Sequence, residues 1–168
     1  MLTPRHGRLD LKAGRVEMTH GAGGRAMAQL IAEIFRPALA NEFLAQGNDQ
    51  AILPLPAGGR LAMTTDGYVV SPLFFPGGDI GSLAIHGTIN DLAMAGAAPL
   101  YLTASFVVEE GFALADLARI AASIKAVPPI WVTAPIAVQD SARGAGNGGA
   151  SPVVRAISAK NAIANGRP

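Results

Sequence analysis

The sequence predicts an α/β domain of the α+β kind: a mixed sheet with helices covering one face. Three observations carry that expectation. Apolar residues recur at helical spacing around Met27–Phe35 and Leu114–Ile124, and start and stop signals bracket a further helix from Ile80 to about Ala95. The run Leu100–Val108 is apolar and β-branched, as a central strand demands. The elements follow one another as helix, strands, helix, strand, helix, an order that layers helices on a sheet, and no internal repeat interrupts it.

Residues 1–17 read as an irregular leader without the continuous apolar stretch of a signal peptide. His20-Gly21-Ala22-Gly23-Gly24 is a glycine loop leading into a helix whose apolar face is Met27, Leu30, Ile31, Ile34 and Phe35. Pro37 is expected to stop that helix. Asn48-Asp49-Gln50-Ala51 leads a short strand, Ile52 to Leu55. Gly58-Gly59 turns the chain into a second strand from Arg60 to Thr65 that ends on Asp66-Gly67. Tyr68 to Phe75 is β-prone but broken by Pro72.

Pro76-Gly77-Gly78-Asp79 signals a helix start with Asp79 as N-cap, and Gly96 marks its end as the C′ residue. A third helix begins near Ala113, with Leu114, Leu117, Ala118, Ala121 and Ile124 on one face. Beyond residue 126 the composition changes. Acidic residues outnumber basic ones before that point, basic ones predominate after it, and Pro and Gly accumulate, with periodicity only over Ile130–Val138. The expected organisation is a leader (1–17), a domain (18–126) and a Pro/Gly-rich tail (127–168) of poor order.

Of the 168 residues, 50% are apolar and 15% charged, which excludes wholesale disorder. A net charge of +1 gives no support for a nucleic-acid partner. No apolar run reaches the length of a membrane span. With no cysteine, the chain offers no disulfide, zinc–thiolate site or thiol nucleophile. An ordinary intracellular, cytoplasmic location is the corresponding expectation.

Three carboxylates stand beside small residues at element edges: Asp49, Asp66 and Asp91. Converging at a sheet edge, they would suit Mg²⁺, which prefers hard oxygen ligands and often bridges nucleotide phosphates. The alternative is two turn residues and one solvated helix residue. The glycine loop at His20–Gly24 presents free backbone N–H groups to an anion, or is an ordinary loop. It lacks the Lys of a P-loop and the preceding strand of a dinucleotide fingerprint. His86, inside the second helix, is read as a packing residue.

Taken together, these segments resemble the HypE family of hydrogenase maturation factors, the carbamoyl dehydratases. The likeness is carried by Leu61-Ala-Met-Thr-Thr-Asp-Gly-Tyr-Val-Val-Ser-Pro-Leu-Phe-Phe-Pro-Gly-Gly-Asp-Ile-Gly81 and continues through Asn90-Asp91-Leu92-Ala93, Pro99-Leu100-Tyr101-Leu102 and Glu109-Glu110-Gly111-Phe112. It covers roughly residues 18–124. The Thr-Thr-Asp and Asn-Asp elements are shared with a wider group of ATP-binding enzymes that includes aminoimidazole ribonucleotide synthetase, selenophosphate synthetase and thiamine-monophosphate kinase.

The resemblance implies ATP and Mg²⁺ as cofactors and a homodimer built by pairing of sheets. Asp49, Asp66 and Asp91 are implied as metal ligands, with Asp91 also carrying the catalytic role. His20, Gly21, Gly23, Gly24, Thr65 and Asn90 are implied at the nucleotide. The family reaction dehydrates a carbamoyl group, carried on a C-terminal cysteine, to a thiocyanate whose cyano group passes to the iron of nickel–iron hydrogenase. A carbamoyltransferase and the iron–cyanide assembly scaffold are the implied partners.

The sequence departs from the family where Pro128-Pro129-Ile130-Trp131-Val132-Thr133-Ala134-Pro135 replaces a strand ending in Gly-Asp-Thr-Lys, and in having no terminal cysteine. Gly67 and His86 stand where Ser and Cys are expected. A truncated or frameshifted product without the C-terminal domain is the expectation that follows. The remaining functional classes are another ATP-dependent kinase or synthetase of the wider group, or a non-catalytic dimerisation or ATP-binding fragment.

Overall fold

The computed structural model describes residues 7–48, 50–54, 60–125, 131–133, 136–139 and 154–166. The leader is not merely a lead-in. Val16 is 1% exposed and belongs to the main core, and its N–H and carbonyl bond the Phe112 carbonyl (2.8 Å) and the Gly111 N–H (2.7 Å).

The first helical stretch runs through Pro37 instead of stopping there. It consists of α1 (Arg25–Leu30), a π turn (Ile31–Phe35) and α2 (Arg36–Leu39). In the wider turn the Arg36 N–H bonds back to the Ile31 carbonyl. A proline can follow because the ladder has already been re-registered before its missing donor is needed. Asn41 then caps α3 (Glu42–Ala45), its side-chain oxygen accepting from Phe43 N (3.0 Å) and Leu44 N (2.8 Å).

The strand expected over Ile52–Leu55 is not formed at Ile52–Pro54, and Leu55 lies outside the described residues. This stretch is tied down by its carbonyl instead: Tyr101 Oη donates to Pro54 O at 2.7 Å. The single strand expected from Arg60 to Asp66-Gly67 is two strands, β1 (Arg60–Ala62) and β2 (Thr65–Tyr68). Asp66 therefore sits inside β2 and does not end a strand. Next comes a small hairpin of β3 (Phe74–Phe75) and β4 (Gly78–Asp79). Pro76 and Gly77 (φ 91°) make its turn, since position i+2 of a type II turn needs positive φ.

Helix α4 (Ile80–Met94) starts and stops where its capping residues place it. Asp79 Oδ1 accepts from Gly81 N (2.8 Å) and Ser82 N (3.0 Å), while Ser82 Oγ accepts from Asp79 N (3.0 Å). Gly96 leaves the helix at φ 66°. Strand β5 (Ala97–Glu109) follows, then α5 (Leu114–Lys125).

The tail departs from the expectation of poor order in its described parts: β6 (Trp131–Thr133), β7 (Ile136–Gln139) and β8 (Val154–Gly166) are strands. The first lies within the periodic run Ile130–Val138 and the second overlaps its end. The third is rich in Ala, with Ser, Asn and Lys among them, which masks any alternation, and it is secured by long antiparallel pairing with β5.

The sheet is mixed, as expected. β8 pairs antiparallel with β5 on one side and with β1 and β2 on the other, and β5 pairs parallel with β6 and β7. Leu102, Ala104, Phe106 and Val108 alternate into the core from β5. They meet Ile80, Ala84 and Ile85 of α4 and Leu117, Ile120, Ala121 and Ile124 of α5. Phe35 closes the cluster against Phe106, with ring centroids 4.8 Å apart and tilted by 59°. The opposite face of β5, at Thr103, Ser105 and Val107, is only half-buried. No helix among the described residues is long and apolar enough to cross a membrane.

Candidate functional site

The best-defined part of the site is the contact between β2 and α4. Gly87 leaves room for the Tyr68 ring, and the Tyr68 hydroxyl lies 3.4 Å from Thr88 Oγ1, a side chain that is fully buried. This contact orders the segment carrying Thr65, Asp66 and Tyr68 against the helix that carries Asn90 and Asp91.

Asp66 and Asp91 are both exposed carboxylates on these two elements. Burial pushes the Tyr68 phenol above its ordinary range; the Thr88 hydrogen bond opposes that shift. The Asp66 carboxylate, and the charges of Asp66 and Asp91, raise it further by disfavouring a phenolate beside them. Asp66 Oδ1 also accepts from the Gly67 N–H at 2.7 Å, and Asp91 Oδ2 accepts from Thr64 Oγ1 at 3.2 Å. Thr65 and Asn90 are exposed on the same two elements.

Asp49, the third expected ligand, lies outside the described residues. Among the described residues no three acidic or histidine side chains come together as a metal-ligand set. The donors that are described still suit a hard cation: two carboxylates and an amide, accessible and on braced elements.

The start of the glycine loop is folded into a turn. Met18–Gly21 is a short 3₁₀ turn, and His20 is folded into it, 6% exposed. Its Nδ1 accepts from Glu17 N at 2.8 Å, which leaves any ring proton of the neutral form on Nε2. Gly21, Gly23 and Gly24 are exposed, Gly23 at φ 72°, and Gly24 precedes α1. No described hydrogen bond joins this loop to Asp66, Asn90 or Asp91.

His86, read from sequence as a packing residue, is exposed. Helix α4 buries Ile80, Gly81, Ala84, Ile85, Thr88 and Leu92, so position 86 falls on the other side. Sequence reasoning passed over Tyr68, Gly87 and Thr64. Glycine inside an apolar helix, with an aromatic residue nearby in the preceding strand, was the signal for the first two.

Comparison with known proteins places these residues in a family. The family described as AIR synthase related protein, N-terminal domain, matches residues 47–130, half of the chain. Carbamoyl dehydratase HypE of Cupriavidus necator is 68% identical over 116 residues, which are 69% of this chain and 33% of that protein. A crystal structure of hydrogenase maturation protein HypE in complex with ATP superposes with a TM-score of 0.78 at 38% identity, covering 90% of this chain and 43% of the other. The HypE-HypF complex matches at TM-score 0.55 and 37% identity over 83% of this chain and 43% of that one. The chain thus spans about a third of the length of the curated relatives it matches. It belongs to the AIR synthase related proteins through their N-terminal domain, and its likeness within that family is to the HypE carbamoyl dehydratases.

Proposed function

We propose that this chain is the ATP-binding portion of a carbamoyl dehydratase acting in hydrogenase maturation. The observation that carries the reading is the β2–α4 contact of Tyr68 with Gly87 and Thr88, which holds the strand carrying Asp66 against the helix carrying Asp91 within the stretch that matches HypE. ATP comes to this chain from the HypE structure solved with it.

In this reading Asp66 and Asp91, with Asp49, would hold Mg²⁺, and Asp91 carries the catalytic role. Thr65 and Asn90 would reach the nucleotide, and Gly21, Gly23 and Gly24 would close over the phosphates, with His20 shaping their loop. Phosphorylation of a carbamoyl amide oxygen turns a poor leaving group into a good one. Bound Mg²⁺ supplies neutralisation of the charge on the phosphoryl group in flight. The chain's own part is to keep the Asp66 and Asp91 carboxylates accessible and fixed in direction.

A carbamoyltransferase is the proposed upstream partner, by analogy with the HypE-HypF complex. Cytoplasmic location and delivery to an iron–cyanide assembly scaffold go with the same reading. Homodimerisation by pairing of sheets goes with the same reading, and apolar side chains on and beside β1 and β2 are left exposed: Leu61 (52%), Met63 (56%) and Val69 (76%).

One observation favours a narrower role. These 168 residues, about a third of the length of the curated relatives, contain no cysteine, so the assay supplies the carbamoyl-bearing thiol separately, and the narrower role is ATP binding by this portion. ADP release is the assay, with a carbamoylated cysteine peptide supplied in trans. Peptide-dependent ADP supports the dehydratase reading. ATP binding without ADP leaves the narrower one, and no ATP binding contradicts both.

A further inference from the structure

We propose that Thr64 is a positioning residue for Asp91: its hydroxyl fixes which carboxylate oxygen faces a bound cation. The proposal rests on the reading of Asp91 as a Mg²⁺ ligand. Its basis is the break between β1 and β2. Met63 and Thr64 belong to neither strand, and the interruption frees Thr64 from the sheet ladder. From there Thr64, half-buried, reaches across to α4 and donates to Asp91 Oδ2 at 3.2 Å. Its neighbour Thr65 is committed to β2, opposite Lys160 of β8.

The chemistry of the pair makes the contact directional. An ionised carboxylate only accepts, and a hydroxyl has one proton to give. With that proton on Oδ2, Oδ1 is the oxygen left open. Asp91 is exposed and would otherwise sample several rotamers, whereas a β-branched threonine is stiff at χ1 and costs little entropy to hold. Carboxylates that ligate metals are commonly oriented by just such a neighbour, and losing it typically weakens metal affinity by about 10- to 100-fold.

The test is calorimetric titration of ATP into the full 168-residue chain at a series of Mg²⁺ concentrations, with the variants Thr64→Val, Thr64→Ser and Asp91→Asn. Thr64→Val keeps the shape and removes the donor; Thr64→Ser keeps the donor. The expected result is a Mg²⁺ requirement raised roughly tenfold in Thr64→Val, restored by Thr64→Ser, with an unchanged thermal midpoint. If Asp91→Asn raises the requirement but Thr64→Val matches the parent, the positioning role is overturned and the metal reading stands. If Thr64→Ser fails to restore it, the hydroxyl is not the cause and the proposal falls. An Asp91→Asn variant equal to the parent, or a parent that binds no ATP, overturns the metal reading and this proposal together.

Discussion

The ring of Tyr68 occupies the space a side chain at Gly87 would need: a Cβ there would lie 2.7 Å from Tyr68 Cε1 and Cζ. Alanine in place of glycine inside a helix ordinarily stabilises by about 1 kcal/mol. Here Gly87→Ala must displace Tyr68, so the sign reverses. The expected outcome is a loss of about 1–3 kcal/mol, measured by urea unfolding. Tyr68→Leu combined with Gly87→Ala should recover part of that loss, because the smaller side chain gives the methyl room.

Asp79 joins the start of α4 to α5. One oxygen, Oδ1, accepts from Gly81 N, Ser82 N and, at 2.6 Å, from Ser123 Oγ. Asp79→Ala removes the cap, while Ser123 Oγ keeps the Ile120 carbonyl at 2.8 Å as an acceptor, for an expected loss of about 1–2 kcal/mol. Asp79→Asn keeps an acceptor and should lose less. Denaturant midpoints of the two variants provide the comparison, and equal losses would contradict this account of the cap.

Phe106 lies at the centre of the core, fully buried against Phe35. Phe106→Ala should cost about 3–5 kcal/mol in chemical denaturation, since the packed helices cannot collapse onto the space it leaves. Substitution at Val69, 76% exposed, should stay within about 0.5 kcal/mol in the same measurement.

The Tyr68 phenol is raised, first by burial and then by neighbouring carboxylates. Because the folded value lies above the unfolded one, the folded state keeps its proton longer as pH rises. The stabilisation is complete below the unfolded value of about 10 and is lost as pH rises through the folded value. An ultraviolet titration of the chain's two tyrosines should therefore show a late component. Tyr68→Phe should abolish that component, and Asp66→Asn should move it to lower pH.

How far the fold could be read in advance differs element by element, for physical reasons. Helix α4 was legible because Asp79 and Gly96 are local signals whose chemistry acts within a turn. Helix α5 was legible because Leu114, Leu117, Ala121 and Ile124 repeat at its period. Pro37 misled because a π turn upstream removed the penalty that normally ends a helix. Strand β8 was hidden because its order comes from pairing with β5, distant in sequence, and not from its own propensity.

At the site, the Thr-Thr-Asp and Asn-Asp elements marked Asp66 and Asp91 by likeness. The hydroxyls that restrain the site, Thr64 and Tyr68, were not marked, since their importance arises only when β2 and the preceding break meet α4. The place of His20 in a 3₁₀ turn, bonded to Glu17 N, is not legible from the glycine loop around it, because that bond depends on the turn and not on local composition.

Calorimetric titration of ATP into the intact chain, with and without Mg²⁺, tests the central claim most directly. The account predicts saturable binding at one site per chain that strengthens with Mg²⁺ and weakens in Asp66→Asn and Asp91→Asn. No heat of binding in the presence of Mg²⁺, or binding indifferent to both substitutions, would contradict it.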